Sequence, residues 1–144
     1  MRFMMIVKAN KESEGGCRPD EQMLAAMAKY NEEMMKAGVL LDLSGLHPSA
    51  KGFRVRFSAG DGRTVIDGPF PETKELIGGF WLIQVKSREE AVAWAKRIPF
   101  QPDASGVEPE VEVRQLFELE DFAPSAAIER ARELGRQMEL KKHT

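Results

Sequence analysis

The residues best suited to chemistry sit in and around one run, Asp67-Gly68-Pro69-Phe70-Pro71-Glu72-Thr73-Lys74-Glu75. Asp67 is a candidate acid or base, because burial and neighbouring charge can tune a carboxylate in a cleft. Lys74 and Glu75 follow closely enough to line the same cleft. His47, next to Pro48, titrates near neutrality when unperturbed and is the candidate general base. Tyr30, Gly79 and Trp81 complete a candidate ligand-binding set with Lys74 and Glu75. Gly78-Gly79 removes side chains just before Phe80-Trp81, which allows a bulge or the close approach of a ligand to backbone.

Each of these residues also has a plainer reading. Asp67-Gly68-Pro69 has turn chemistry: Asp accepts from backbone amides, Gly permits positive φ and Pro fixes the next residue. Phe70 then anchors the loop in the core. Lys74 and Glu75 form a solvated ion pair worth under about 1 kcal/mol. His47 is a loop histidine without a role. The methionines of the segment 23–35 serve core packing rather than an adaptable binding surface.

Other chemistries find no support. Two histidines, His47 and His143, with the single Cys17, give no metal-site spacing. Cys17 lies in a polar, Gly-rich stretch without a histidine beside it, so it reads as an incidental thiol. No phosphate-cradling glycine loop or dinucleotide fingerprint is present, and no cofactor is expected. The net charge of −2 argues against nucleic acid, whose binding needs a basic face. No apolar run reaches transmembrane length, so no membrane partner and a cytoplasmic location are expected.

The 144 residues suit one domain, 1–144, with a core over 2–118 and a helical extension over 120–144. With 42% hydrophobic and 31% charged residues the chain has the composition of a folded protein, not a disordered one. The run 2–9 has the length of a buried strand. A helix is expected over 19–37, with Pro19 in its first turn, Asp20 and Glu21 at its positive end and Gly38 beyond it. Met23, Met27, Tyr30 and Met34 form its apolar stripe. A second strand spans 39–46. The plan then repeats: strand 80–86, a helix opened by Ser87 with Glu90 and stopped by Pro99, and an alternating strand over 111–119.

Between the two units, segments 52–58 and 63–67 flank Asp61-Gly62 and predict a β-hairpin that extends or covers the sheet. Right-handed crossovers place both helices on one face of a four-stranded sheet, a ferredoxin-like α+β fold. Since the strands are apolar on both faces, with Phe80, Leu82 and Val85 expected to point away from Trp81 and Ile83, a homodimer is expected to hide the second face. The segment 124–142 predicts a further helix with Ile128, Ala131, Leu134 and Met138 on one stripe.

The Asp-Gly-Pro-Phe and Glu-Thr-Lys-Glu runs, the Gly78-Gly79-Phe80-Trp81 strand entry and the Gly38-Val39 and Gly45-Leu46 steps resemble the YCII-related family, in its DGPF branch. The resemblance covers about residues 2–118 and implies a dimeric α+β barrel. Some members of that superfamily pair an Asp with a histidine on the first helix, whereas here the first helix holds none and Met27 stands near that place. The function expected is binding or conversion of a small molecule in a cleft beside the Asp67 loop. The alternative is a non-catalytic dimeric interaction or regulatory module.

Overall fold

A computed structural model describes residues 1–142, so His143 lies outside the described residues. Strand β1 (Arg2–Lys8) leads through a short helix α1 (Lys11–Glu14) to α2 (Glu21–Lys36) and β2 (Leu40–Gly45). A hairpin of β3 (Phe53–Phe57) and β4 (Arg63–Asp67) follows, then β5 (Ile77–Gln84), α3 (Arg88–Lys96), β6 (Val111–Gln115) and α4 (Ala126–Lys142). Four strands form one antiparallel sheet in the order β2-β5-β1-β6, the ferredoxin-like arrangement of two β-α-β units.

Local signals account for the helix boundaries. The Asp20 side chain accepts from the Met23 amide and caps α2, which leaves Pro19 ahead of the cap rather than in the first turn as expected. Ser87 accepts from the Glu90 amide, while the Glu90 carboxylate reaches back to the Lys86 N–H. Gly38, at φ 75°, lets the chain reverse into β2.

Pairing registers put Phe3, Met5, Trp81 and Ile83 on the helix side of the sheet, where they meet Tyr30 and Met34 of α2 and Ala91, Trp94 and Ile98 of α3. Met5, Met34 and Ile83 are completely enclosed. Val85 joins this core, contrary to the expectation that it points away with Phe80 and Leu82, because it continues the 81–83 alternation. The opposite face carries Met4, Ile6, Phe80 and Leu82, each half-buried, bordered by Glu112 and Arg114 of β6 and Asp42 and Ser44 of β2.

Several expected elements differ in extent or placement, among them the strand expected over 80–86, which spans Ile77–Gln84 and takes in Gly78 and Gly79. The hairpin forms its own two-stranded sheet instead of extending the main one, and nine of its ten strand residues are exposed. Its turn takes positive φ at Gly60, not at Gly62, because the reversal closes through Ser58 N–H donating to the Gly62 carbonyl. Strand β6 stops at Gln115, since the chain turns into a 3-10 turn at Leu119–Asp121. The bidentate pair of Arg2 with Glu118, at 2.8 and 2.9 Å, ties that exit to β1. The Arg2 hydrogen bond holds the Glu118 carboxyl below its usual range.

The single tyrosine of the sequence gives the core a direct readout. Tyr30 is 3% exposed, donates its hydroxyl to the Trp94 carbonyl at 2.8 Å and meets Trp81 edge-on at 5.6 Å. Burial disfavours the phenolate and pushes the pKa from 10.0 up to about 12. The folded state therefore holds this proton more tightly than the unfolded chain does. The resulting stability is whole below about pH 10 and is lost as pH rises toward about 12. Tyrosinate absorbance in the native protein is expected to stay flat through pH 10 and to rise only near pH 12 or on unfolding. A titration midpoint at the ordinary value in the folded protein would show that the ring is accessible.

Candidate functional site

The Asp67–Glu75 loop is held by a compact set of polar contacts at the end of the sheet where β2 leaves and β5 enters. The Ser49 hydroxyl accepts from the Phe70 N–H at 2.9 Å and donates to the Glu14 carboxylate at 2.5 Å. Glu14 also accepts from the Ser49 N–H at 3.0 Å. Gly68 donates its N–H to the Gly52 carbonyl at 3.0 Å. A Cβ on Gly68 would lie 1.9 Å from the Ser49 carbonyl oxygen, so the motif glycine is required by close backbone approach. The Arg54 guanidinium lies 3.8 Å over the Phe70 ring and 3.6 Å from the Glu72 carboxylate. Phe70 is thus half-buried under an arginine rather than anchored in the core. The Gly68 and Phe70 amides fix the start of the loop, and the Ala9 N–H, donating to the Leu76 carbonyl at 2.9 Å, holds the chain just past its end.

On this latched loop Asp67 is exposed, and its side chain makes no hydrogen bond or ion pair among the described residues. The turn reading of Asp67 is therefore corrected: the loop closes through Gly68 and Phe70 backbone amides, and the Asp67 carboxylate is left to solvent. Lys74 and Glu75 lie in a 3-10 turn (Thr73–Glu75), exposed, and do not pair with each other. His47 is exposed at the same end, before the 3-10 turn Ser49–Lys51, and its ring has no partner among the described residues. These four side chains share one end of the molecule.

Tyr30 and Trp81 sit elsewhere. Both are 3% exposed in the core between helices and sheet, and the indole N–H of Trp81 donates to the Asn31 side chain at 2.8 Å. Within one protomer, then, the seven residues do not line a common cleft. The physical reason is strand alternation: Trp81 belongs to the helix-facing set, and α2 seals it with Tyr30. Gly79 is buried against β2, where a Cβ would come within 2.8 Å of the Ser44 carbonyl oxygen. Its neighbour Gly78 forms a bulge, since Val7 pairs with Gly79 and Lys8 with Ile77. That is the bulge reading of the double glycine.

Glu14, Ser49 and Arg54 escaped the sequence reading. The Asn10 cap of α1, whose side chain accepts from the Ser13 amide, was the one local signal that placed Glu14 on a helical turn. Among the described residues no group of three or more His, Cys, Asp or Glu side chains could hold a metal ion, and no buried side-chain polar atom lacks a partner. No helix among them is long and apolar enough to cross a membrane.

The chain is similar to an uncharacterized protein of Rhizobium meliloti (strain 1021), 35% identical over 97 residues, which span 67% of this chain and 75% of that protein. A family model for the YCII-related domain matches residues 1–117, which takes in both β-α-β units and the latched loop and leaves α4 outside. With that match over the whole sheet, the chain belongs to the YCII-related domain family.

Proposed function

We propose that this YCII-related protein, of the DGPF branch, works as a homodimer that binds or converts a small molecule beside the Asp67–Glu75 loop. The observation that carries the reading is a fixed loop bearing unpaired polar groups. Asp67, Lys74 and Glu75, with His47 nearby, have no partners among the described residues of the protomer, yet the backbone under them is latched through Ser49, Glu14 and Gly52. Presenting free charges on a rigid support lowers the ordering cost of binding. The protomer surrounds these groups with solvent, so the cleft requires a second copy. The half-buried apolar stripe Met4, Ile6, Phe80 and Leu82 on the uncovered sheet face supports such pairing.

Light scattering at micromolar concentration should give twice the 16.2 kDa chain mass. A thermal-shift screen of chemically varied metabolites should find ligands that raise the melting temperature of the native protein but not of the Asp67→Asn and Lys74→Ala variants. Both side chains are exposed, so these variants should melt as the unliganded parent does. Binding that is indifferent to both substitutions would place the ligand elsewhere. A dimer that no compound in a broad library stabilises would favour the second reading, a non-catalytic interaction module. That reading draws on the apolar side of α4, where Leu134 and Met138 are 51% and 62% exposed.

A further inference from the structure

Helix α4 lies beyond the family's matched region and has an unusual charge for this chain. It carries five basic and three acidic side chains, a net of +2 in a protein whose total is −2. At about 3.6 residues per turn, Ala127, Ala131, Leu134 and Met138 fall in one line. Arg130 and Lys141 flank this line on one side and Lys142 on the other, so its borders are basic. The helix rests on its own protomer through a different side, where Arg132 meets Glu120 of the Leu119–Asp121 turn at 3.3 Å. No residue of α4 is buried.

A matching surface exists on the same chain. Val92, Ala95 and Ile98 of α3 and its C-terminal turn, with Val111 and Val113 of β6, line an open apolar groove of about 300 Å³, to which Phe100 and Pro109 also contribute. The segment 103–112, which supplies Pro109 and Val111 to the groove, holds four acidic residues and no basic one. Glu108 and Glu110, on either side of Pro109, make no ion pair among the described residues. Lys96 lines the α3 side and is likewise unpaired among them.

We infer that α4 of one copy docks in the α3–β6 groove of a second copy, its apolar line on Val92, Ala95 and Val113 and its Arg130 flank toward Glu108 and Glu110. An amphipathic helix entering an apolar groove is a common mode of recognition. Here a helix with basic borders meets a groove beside an acidic segment, and both are present in equal number on every chain. The contact is separate from the pairing of uncovered sheet faces.

The test uses full-length protein in a Cys17→Ser background, since Cys17 is the only native thiol and is exposed. Two preparations, Val92→Cys and Met138→Cys, are unfolded together, refolded and mildly oxidised. A disulfide joining the two different chains is expected, with its yield cut several-fold by Arg130→Glu and restored when Glu108→Lys and Glu110→Lys are added to the groove-bearing chain. Four results would overturn the inference: no cross-link between folded variants, a link between two Met138→Cys chains only, a yield indifferent to the charge changes, or a monomeric cross-link in the Val92→Cys/Met138→Cys double variant. The last would mean that each chain closes on its own helix. Should either variant fail to fold, Ala95→Cys with Leu134→Cys replaces the pair. A dimer by light scattering without this cross-link would refute helix docking and leave the sheet-face pairing standing.

Discussion

Trp81→Ala is expected to destabilise the protein by about 4 kcal/mol, measured by chemical denaturation. Trp81 stands at the centre of an aromatic cluster, edge-on to Tyr30 at 5.6 Å and 6.3 Å from Phe100, on the second strand of a four-stranded sheet. Truncation removes the buried area, leaves a cavity that α2 and α3 cannot fill without moving, and strips the Asn31 side chain of its indole donor. Trp81→Phe keeps most of the volume and should cost about half as much, while Asn31→Ala should cost about 1 kcal/mol. The comparison also bears on the role of the residue. A loss confined to ligand affinity, with native stability, would mean that the indole is a binding group and that the core description of Trp81 is wrong.

Gly68→Ala should cost about 3 kcal/mol, at the upper end for an overpacked site. The added methyl meets the Ser49 carbonyl oxygen at 1.9 Å and its carbonyl carbon at 2.7 Å, both backbone atoms that cannot swing aside. Either the 3-10 turn Ser49–Lys51 or the Asp67 loop must move, and either shift breaks the Phe70 N–H to Ser49 hydrogen bond. Limited proteolysis should then cut within 67–75, where the parent resists. Gly52→Ala is the matched control, because its φ of −113° suits any residue and its Cβ would lie 3.6 Å from the nearest atom. It should change stability by less than about 1 kcal/mol. Equal stability of the two variants would mean that the loop is not latched, and the proposed ligand site would lose its support.

How far the fold is legible in the sequence varies with the distance over which each feature is decided. The apolar line of Met27, Tyr30 and Met34, the Ser87 cap and the alternation of Val111 and Val113 are written within a few residues each, and they predicted two β-α-β units with both helices on one face of a four-stranded sheet. Boundaries were less legible where a cap competes with a neighbouring signal, as Asp20 does with Pro19. The independence of the hairpin was not legible at all, because nothing in 53–67 states whether its edge will pair with the main sheet.

The candidate site divides in the same way. By itself the sequence determined that polar, titratable residues cluster in 67–75 and that two glycines mark the start of β5, since residue type and turn chemistry are local properties. Only the tertiary structure decided that Asp67 is left to solvent, that Tyr30 and Trp81 are sealed on the helix side, and that the loop hangs on Ser49 and Glu14. Those contacts join residues 21 and 35 positions apart. Hydrogen bonds across such separations follow from where the folded backbone brings donors and acceptors, and no periodicity along the chain encodes that geometry.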